Sequence, residues 1–192
     1  MIDRIVILGS LGAALAVPAY SQQPAAAAPP GPVAGDLAPD FTAPGAAMSG
    51  TLKAPIRLSD LKGKTVVLAF FPKARTSGCT QQMTQYREQY EKLFMGGKGV
   101  VLLGISTDAD TTLANWAKEA RFPFQFVSDK EGLIGKAYGT LLEGRTAESR
   151  YVYVIAPDGK ISYTKKPFSP FTPAQYDELG AEIMKAMGHA NQ

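Results

Sequence analysis

The stretch Thr65-Val66-Val67-Leu68-Ala69-Phe70-Phe71-Pro72-Lys73-Ala74-Arg75-Thr76-Ser77-Gly78-Cys79-Thr80 changes its period part-way along. Residues 65–71 form a continuous apolar run with β-branched and aromatic side chains, closed by Pro72. A strand buried on both faces reads this way. From Cys79 onward the apolar positions are Cys79, Met83, Tyr86, Tyr90, Leu93 and Phe94. Those spacings share one face of a helix, and Gly96-Gly97 stops it. The stretch therefore predicts strand, loop and helix, with Cys79 in the first turn of the helix.

Working outward, the same alternation repeats. Val100 to Ile105 reads as a second buried strand. Asp110 or Thr111 can cap a helix whose inner face is Leu113, Trp116, Ala117 and Ala120, ended by Pro123. Phe124 to Val127 is a short strand, and a short helix around Leu133, Ile134, Ala137 and Tyr138 stops at Gly139. Tyr151 to Ile155 and Ile161 to Thr164 flank Pro157-Asp158-Gly159, a hairpin signal. Thr172-Pro173-Ala174-Gln175 reads as a capping box opening a helix with Tyr176, Leu179, Ile183 and Met187 on one face. The order βαβαβαββα implies an α/β fold, a mixed sheet with helices on both faces.

Composition narrows the function. The 192 residues are 45% hydrophobic and 19% charged, enough to bury a full core. The net charge is +3, and the basic residues are scattered, with Lys165-Lys166 the longest run. A nucleic-acid binder is not expected. No apolar run approaches the ~18 residues of a membrane span. The chain has one Cys and one His, His189. An intrachain disulfide, a Cys-x-x-Cys pair and a Cys-rich zinc site are excluded, and a His-based metal site or a Cys-His protease is not expected. No flavin or nucleotide signature is present, because the glycines of Gly96-Gly97-x-Gly99 follow a helix rather than a strand. No metal and no cofactor is expected.

The N-terminus reads as an address. Arg4 and the free amine precede an apolar run from Ile5 to Val17, and Ala19-Tyr20-Ser21 has the small-x-small pattern of a cleavage site. Residues 1–21 are expected to be a signal peptide cut after Ala19 or Ser21, sending the protein to the periplasm or outside the cell. Residues 22–34 are rich in Pro and Ala and read as a loose linker. The folded domain is expected over 35–192.

Cys79 is the candidate for chemistry. A helix N-terminus offers unpaired N–H groups and a partial positive charge, which favour an anion such as a thiolate. Taking an ordinary thiol from a pKa of ~8.5 down to ~6 would need about 3.4 kcal/mol. A helix terminus supplies roughly 0.3–1 kcal/mol, and ~2 in favourable geometry. A nearby cation is therefore expected: Lys73, Arg75 or an arginine brought in from elsewhere.

Pro72, Thr76 and Cys79 match the Pro-x-x-x-Thr-x-x-Cys motif of peroxiredoxins, and FFPKARTSGCT resembles the loop of the Q-type, bacterioferritin comigratory protein-like subfamily. The resemblance extends to Gly35-Asp36-Leu37-Ala38-Pro39-Asp40-Phe41, to residues 58–64, to Leu103-Gly104-Ile105-Ser106-Thr107-Asp108, to Val127-Ser128-Asp129 and to Arg150 ahead of YVYVIAPDGKI. It implies a thioredoxin-like fold and a thiol-dependent peroxidase acting on hydrogen peroxide or organic hydroperoxides. Cys79 would be the peroxidatic nucleophile and Thr76 the hydroxyl that holds the peroxide. Arg150 would be the missing cation, and Pro72 would shield the pocket. Backbone N–H groups of Gly78 and Cys79 would join Thr76 and Arg150 around the developing charge.

Many Q-type members carry a resolving Cys five residues after the nucleophile, where this chain has Thr84. A one-Cys enzyme is implied, recycled by an external thiol: a thioredoxin-like protein or a small thiol. The resemblance is compatible with a monomer or a homodimer. Two other readings are a thioredoxin-fold redox sensor or binding module without turnover, and a thiol-dependent transferase or reductase acting on another substrate.

Overall fold

The computed structural model describes residues 31–188. The expected signal peptide, its cleavage sites, residues 22–30 and His189 lie outside the described residues. In chain order the strands and helices are β1 (Thr42–Ala43), β2 (Gly45–Ala47), β3 (Gly50–Thr51), β4 (Ile56–Arg57), β5 (Thr65–Phe70), α1 (Ser77–Glu88), α2 (Tyr90–Phe94), β6 (Val100–Ser106), α3 (Asp110–Ala120), β7 (Gln125–Ser128), α4 (Leu133–Ala137), β8 (Val152–Ile155), β9 (Ile161–Lys165) and α5 (Pro173–Gly188). From β5 onward this is the order that the periodicity predicts, with the first helix in two pieces.

Seven strands form one sheet in the order β3-β2-β7-β6-β5-β8-β9. Helical crossovers make β5, β6 and β7 parallel neighbours. The turn at Pro157-Asp158-Gly159 makes β8 and β9 antiparallel, and Gly159 supplies its positive φ of 87°. β5 lies between β6 and β8, so all six of its residues are buried. Val67, Ala69 and the adjoining Phe71 face a core shared with α1, α2, α3 and α5. Val66, Leu68 and Phe70 face the opposite core. Only the short α4 contributes a helix to that second face. The rest of its cover is the chain ahead of β5, which bears Phe41, Ile56 of β4 and Leu58 in a single 3-10 turn. The expected α/β thioredoxin-like architecture is present, with this uneven clothing of the two faces.

Three local expectations are revised. The first helix breaks at Gln89 (φ −103°, ψ 18°), which leaves Tyr90 half-buried against Phe94 and Phe124. α3 starts at Asp110 with Ala109 as its N-cap, and the Asp110 carboxylate accepts the Thr111 N–H instead of closing a cap. At α5 the Gln175 side chain reaches past Thr172 to accept the Ser169 N–H at 2.7 Å, so the capping box does not close. The N-terminal strands escaped the periodicity because they are two or three residues long.

Residues 31–34 fall in the segment that reads as loose linker, yet they are tied down. Lys166 Nζ donates to Pro32 O at 2.9 Å and stands over the Tyr153 ring at 4.9 Å. Ladder-like bonds join Gly35 to Ile161 O at 2.8 Å and Ile161 to Asp36 O at 2.9 Å.

Candidate active site

The loop between β5 and α1 lies at the carboxyl end of a central parallel strand, a place where α/β sheets bind ligands. Two anchors shape it. The Ala74 N–H donates to Asp108 Oδ2 at 2.7 Å, and Ser106 Oγ holds the same oxygen at 3.0 Å. Thr76 is the N-cap of α1, and its hydroxyl donates to Lys73 O at 2.9 Å. A hydroxyl has one donor and two acceptor positions. With its proton committed to Lys73 O, the exposed Thr76 Oγ1 is left as an acceptor.

Cys79 follows in the first turn of α1 and is 0% exposed. Its sulfur accepts a hydrogen bond from Arg150 Nη2 at 3.4 Å. Arg150 Nη1 donates to Gln82 Oε1 at 2.6 Å, and Gln82 Nε2 donates to the Tyr86 hydroxyl at 3.0 Å. Burial pushes the Tyr86 phenol well up, and it pushes Tyr176 up to about 12; the Arg150 charge works in the opposite sense on both. Neutral aromatic hydroxyls therefore flank a fixed cation.

The backbone of Arg150 is held as well. Arg150 O accepts the Phe168 N–H at 2.7 Å, and Tyr176 OH donates to Pro170 O at 3.0 Å. A Cβ at position 78 would stand 3.2 Å from Arg150 Nη2 and 3.7 Å from Pro170 Cγ, so Gly78 makes room for the close approach. Helix geometry leaves the Gly78 and Cys79 N–H groups without partners inside α1.

Of the expected residues, Cys79 and Arg150 are brought together. Pro72 is half-buried where β5 ends, and Thr76 is at the mouth of the loop. The other proposed cations point elsewhere. Lys73 is exposed. Arg75 takes a left-handed backbone (φ 65°) and forks onto Glu119 of α3 at 2.8 Å. Arg75 is thereby ruled out as the partner of Cys79 in this arrangement.

A model of the AhpC/TSA family matches residues 34–164, a span that contains Pro72, Thr76, Cys79, Gln82 and Arg150. The chain belongs to the AhpC/TSA family. It is a peroxiredoxin of the Q type, a thiol-dependent peroxidase and hence an oxidoreductase. It is 33% identical over 134 residues to "Putative peroxiredoxin bcp" of Coxiella burnetii, covering 67% of this chain and 84% of that one. It is 31% identical to the chloroplastic "Peroxiredoxin Q" of Sedum lineare, covering 69% and 70%. Among solved structures, the peroxidoxin BcpB of Mycobacterium tuberculosis superposes with a TM-score of 0.68 at 30% identity, covering 80% and 97%.

In this peroxiredoxin the sequence reading missed two residues that order the site. Gln82 is a fully buried amide three residues after Cys79, on the apolar face of α1. A polar residue on that face was the available signal, since positions three apart are neighbours on a helix. Asp108 was visible only as part of Ser106-Thr107-Asp108, and its role as the anchor of Ala74 depends on the β5–β6 pairing. Among the described residues no cluster of His, Cys, Asp and Glu is arranged to hold a metal ion, and no helix is long and apolar enough to cross a membrane.

Proposed function

We propose that Cys79 is the peroxidatic sulfur of this peroxiredoxin and that Arg150 is its cation. The contact of Arg150 Nη2 with the sulfur of the fully buried Cys79 at 3.4 Å carries this reading. An adjacent guanidinium favours a thiolate over a thiol. The thiolate attacks one oxygen of the hydroperoxide, the S–O bond forms, and the O–O bond breaks. The departing oxygen leaves as hydroxide or alkoxide and takes up a proton. Arg150 and the N–H groups of Gly78 and Cys79 stabilise the charge that develops. Thr76 Oγ1 accepts a hydrogen bond from the peroxide O–H and orients the peroxide, and the hydrogen of the attacked oxygen stays on the sulfenic acid. Pro72 limits access from the strand side.

The product is a sulfenic acid on Cys79. The chain has no second cysteine to trap it. An external thiol displaces water from the sulfenic sulfur to give a mixed disulfide, and a second thiol releases Cys79. A thioredoxin-like protein or a small thiol fits that role. The apolar run and small-x-small pattern of residues 1–21 support export, with this recycling taking place outside the cytoplasm. Sequencing the N-terminus of the mature protein from a periplasmic fraction tests that: cleavage after Ala19 or Ser21 supports export, and an intact Met1 in the cytoplasmic fraction contradicts it.

The reaction is tested with Cys79→Ser. Serine keeps the small polar start of α1, so the variant is expected to fold and to consume no peroxide. Turnover at the wild-type rate would overturn the assignment. With peroxide and no thiol, mass spectrometry should find the wild-type chain gaining oxygen atoms.

A further inference from the structure

Two residues before Arg150 the chain buries a carboxyl group that the reaction above does not use. Glu148 is 1% exposed, and its Oε2 is bonded by the Thr140 hydroxyl. Its Oε1 is buried with no hydrogen-bond partner among the described residues. A Cβ at Gly135 would stand 2.5 Å from both Glu148 oxygens, so the backbone of α4 is pressed against the carboxyl. The titratable group facing it is Asp129, itself 4% exposed, whose oxygens accept the Ile134 N–H at 3.0 Å and the Gly135 N–H at 2.7 Å. Two carboxyl groups can bond each other only if one carries a proton, because an ionised carboxylate only accepts. Burial first, and then Asp129, push the Glu148 carboxyl up to about 8. At neutral pH Glu148 therefore keeps its proton and sits uncharged beside Asp129.

Glu148 and Thr140 close a loop. Thr140 holds Glu148 through its hydroxyl and accepts the Ser149 N–H on its carbonyl at 2.7 Å. Residues 141–147 are thus clasped at their base, and Arg150 emerges directly from the clasp. On its other side Arg150 is fixed by Phe168 and by the bond from Phe70 N–H to Tyr151 O at 2.9 Å. The clasp is the remaining restraint on where the guanidinium starts.

We propose that Glu148 is a positioning residue, which by its buried bond with Thr140, beside Asp129, fixes the segment from which Arg150 reaches Cys79. The proposal rests on the assignment of Arg150 as the cation of the site. Loss of the Glu148 proton sets two buried carboxylates against each other, opens the clasp and lets Arg150 drift from the sulfur. Misplacement of a reacting group by about 1 Å can cost about a hundredfold in rate.

The test follows Cys79 oxidation by hydrogen peroxide in a stopped-flow instrument, from about pH 6 to about pH 10, for the full chain and three variants. Glu148→Gln keeps an acceptor for Thr140 but cannot ionise. It should match the wild type at neutral pH. Above about pH 8, where the wild-type rate per thiolate falls roughly tenfold, it should hold its rate. Glu148→Ala should be roughly ten- to a hundredfold slower throughout. A Gln variant that falls with pH as the wild type does, or a folded Ala variant with wild-type rates, overturns the proposal. If the Ala variant does not fold, the Gln profile alone decides. Arg150→Met at neutral pH separates the two levels: if it oxidises Cys79 at the wild-type rate, the site assignment itself fails, and the positioning role falls with it. If it is slow while the Glu148 variants behave as wild type, only the positioning role fails.

Discussion

Two arginines stand near Cys79 by different measures. Arg75 lies four residues before Cys79 in the loop 72–76, and Arg150 lies 71 residues after it, just ahead of β8. The loop arginine is turned outward by its left-handed backbone and occupied by Glu119, with 42% of its side chain exposed. The distant arginine touches the sulfur and is gripped by Gln82, by the Phe168 segment and by the clasp at Thr140. The difference teaches that electrostatics at this site follow the sheet and not the sequence. β5 and β8 are antiparallel neighbours, with Ala69 opposite Val152, so the exit of one strand meets the entry of the other. A cation on the entry to β8 is therefore delivered to the start of α1 by the strand register.

The largest effect should come from the buried arginine. Arg150→Met is expected to slow Cys79 oxidation by roughly a hundred- to a thousandfold, the scale for removing one donor from a developing oxyanion. Stopped-flow oxidation under excess peroxide measures it.

Next comes the link that orients the guanidinium. Gln82→Leu fills the space but removes the acceptor for Arg150 Nη1 and the donor to Tyr86. It should slow oxidation by roughly tenfold and cost about 1–3 kcal/mol of stability in urea unfolding, because the Arg150 donor and the Tyr86 acceptor each lose their partner. An unchanged rate would mean that the Phe168 segment and the clasp suffice to hold Arg150.

The two regions should also differ in their response to pH. Glu148 in the clasp is pushed up to about 8 from an ordinary carboxyl value of 4.5. Between those values the folded chain holds a proton that the unfolded chain has lost, so stability is full at the acid end and declines as pH rises towards 8. The slope from this group is at most ~1.4 kcal/mol per pH unit. Urea unfolding at several pH values should show that decline, and Glu148→Gln should flatten it. The exposed loop carries no such group.

The smallest effect belongs to Arg75. Exposed ion pairs contribute a median of about 0–1 kcal/mol. Arg75→Met should leave the oxidation rate unchanged and shift the unfolding free energy by no more than that, as circular dichroism in urea would record.

The contrast between these regions also marks how far the sequence could be read. β5 and α1 were legible because a central strand must be apolar on both faces and a packed helix must show a period of 3.6. Residues 65–71 and 79–94 carry the two patterns, with one break at Gln89 that no Gly or Pro announces. Cys79 was legible as a residue at a helix start. Arg150 was reached only through the family resemblance, since nothing in residues 148–151 states which sulfur they will meet. Gln82 was hidden by its apolar neighbours, and Glu148 by the habit of reading glutamate as surface. The N-terminal strands were hidden by their length: pairs such as Thr42–Ala43 and Ile56–Arg57 are too short to show a period. What stayed illegible is what depends on pairing between distant segments.

The central claim is that the cation from β8, not the one from the loop, serves Cys79. The most direct test measures peroxide oxidation of Cys79 in Arg150→Met and Arg75→Met side by side, at neutral pH and again where any thiol is ionised, about pH 9 or above. Any loss that reflects only the protonation of the sulfur should vanish at the higher pH. The account predicts a loss for Arg150→Met that persists at high pH, and wild-type rates for Arg75→Met at both. An unaffected Arg150→Met beside a slowed Arg75→Met would contradict it.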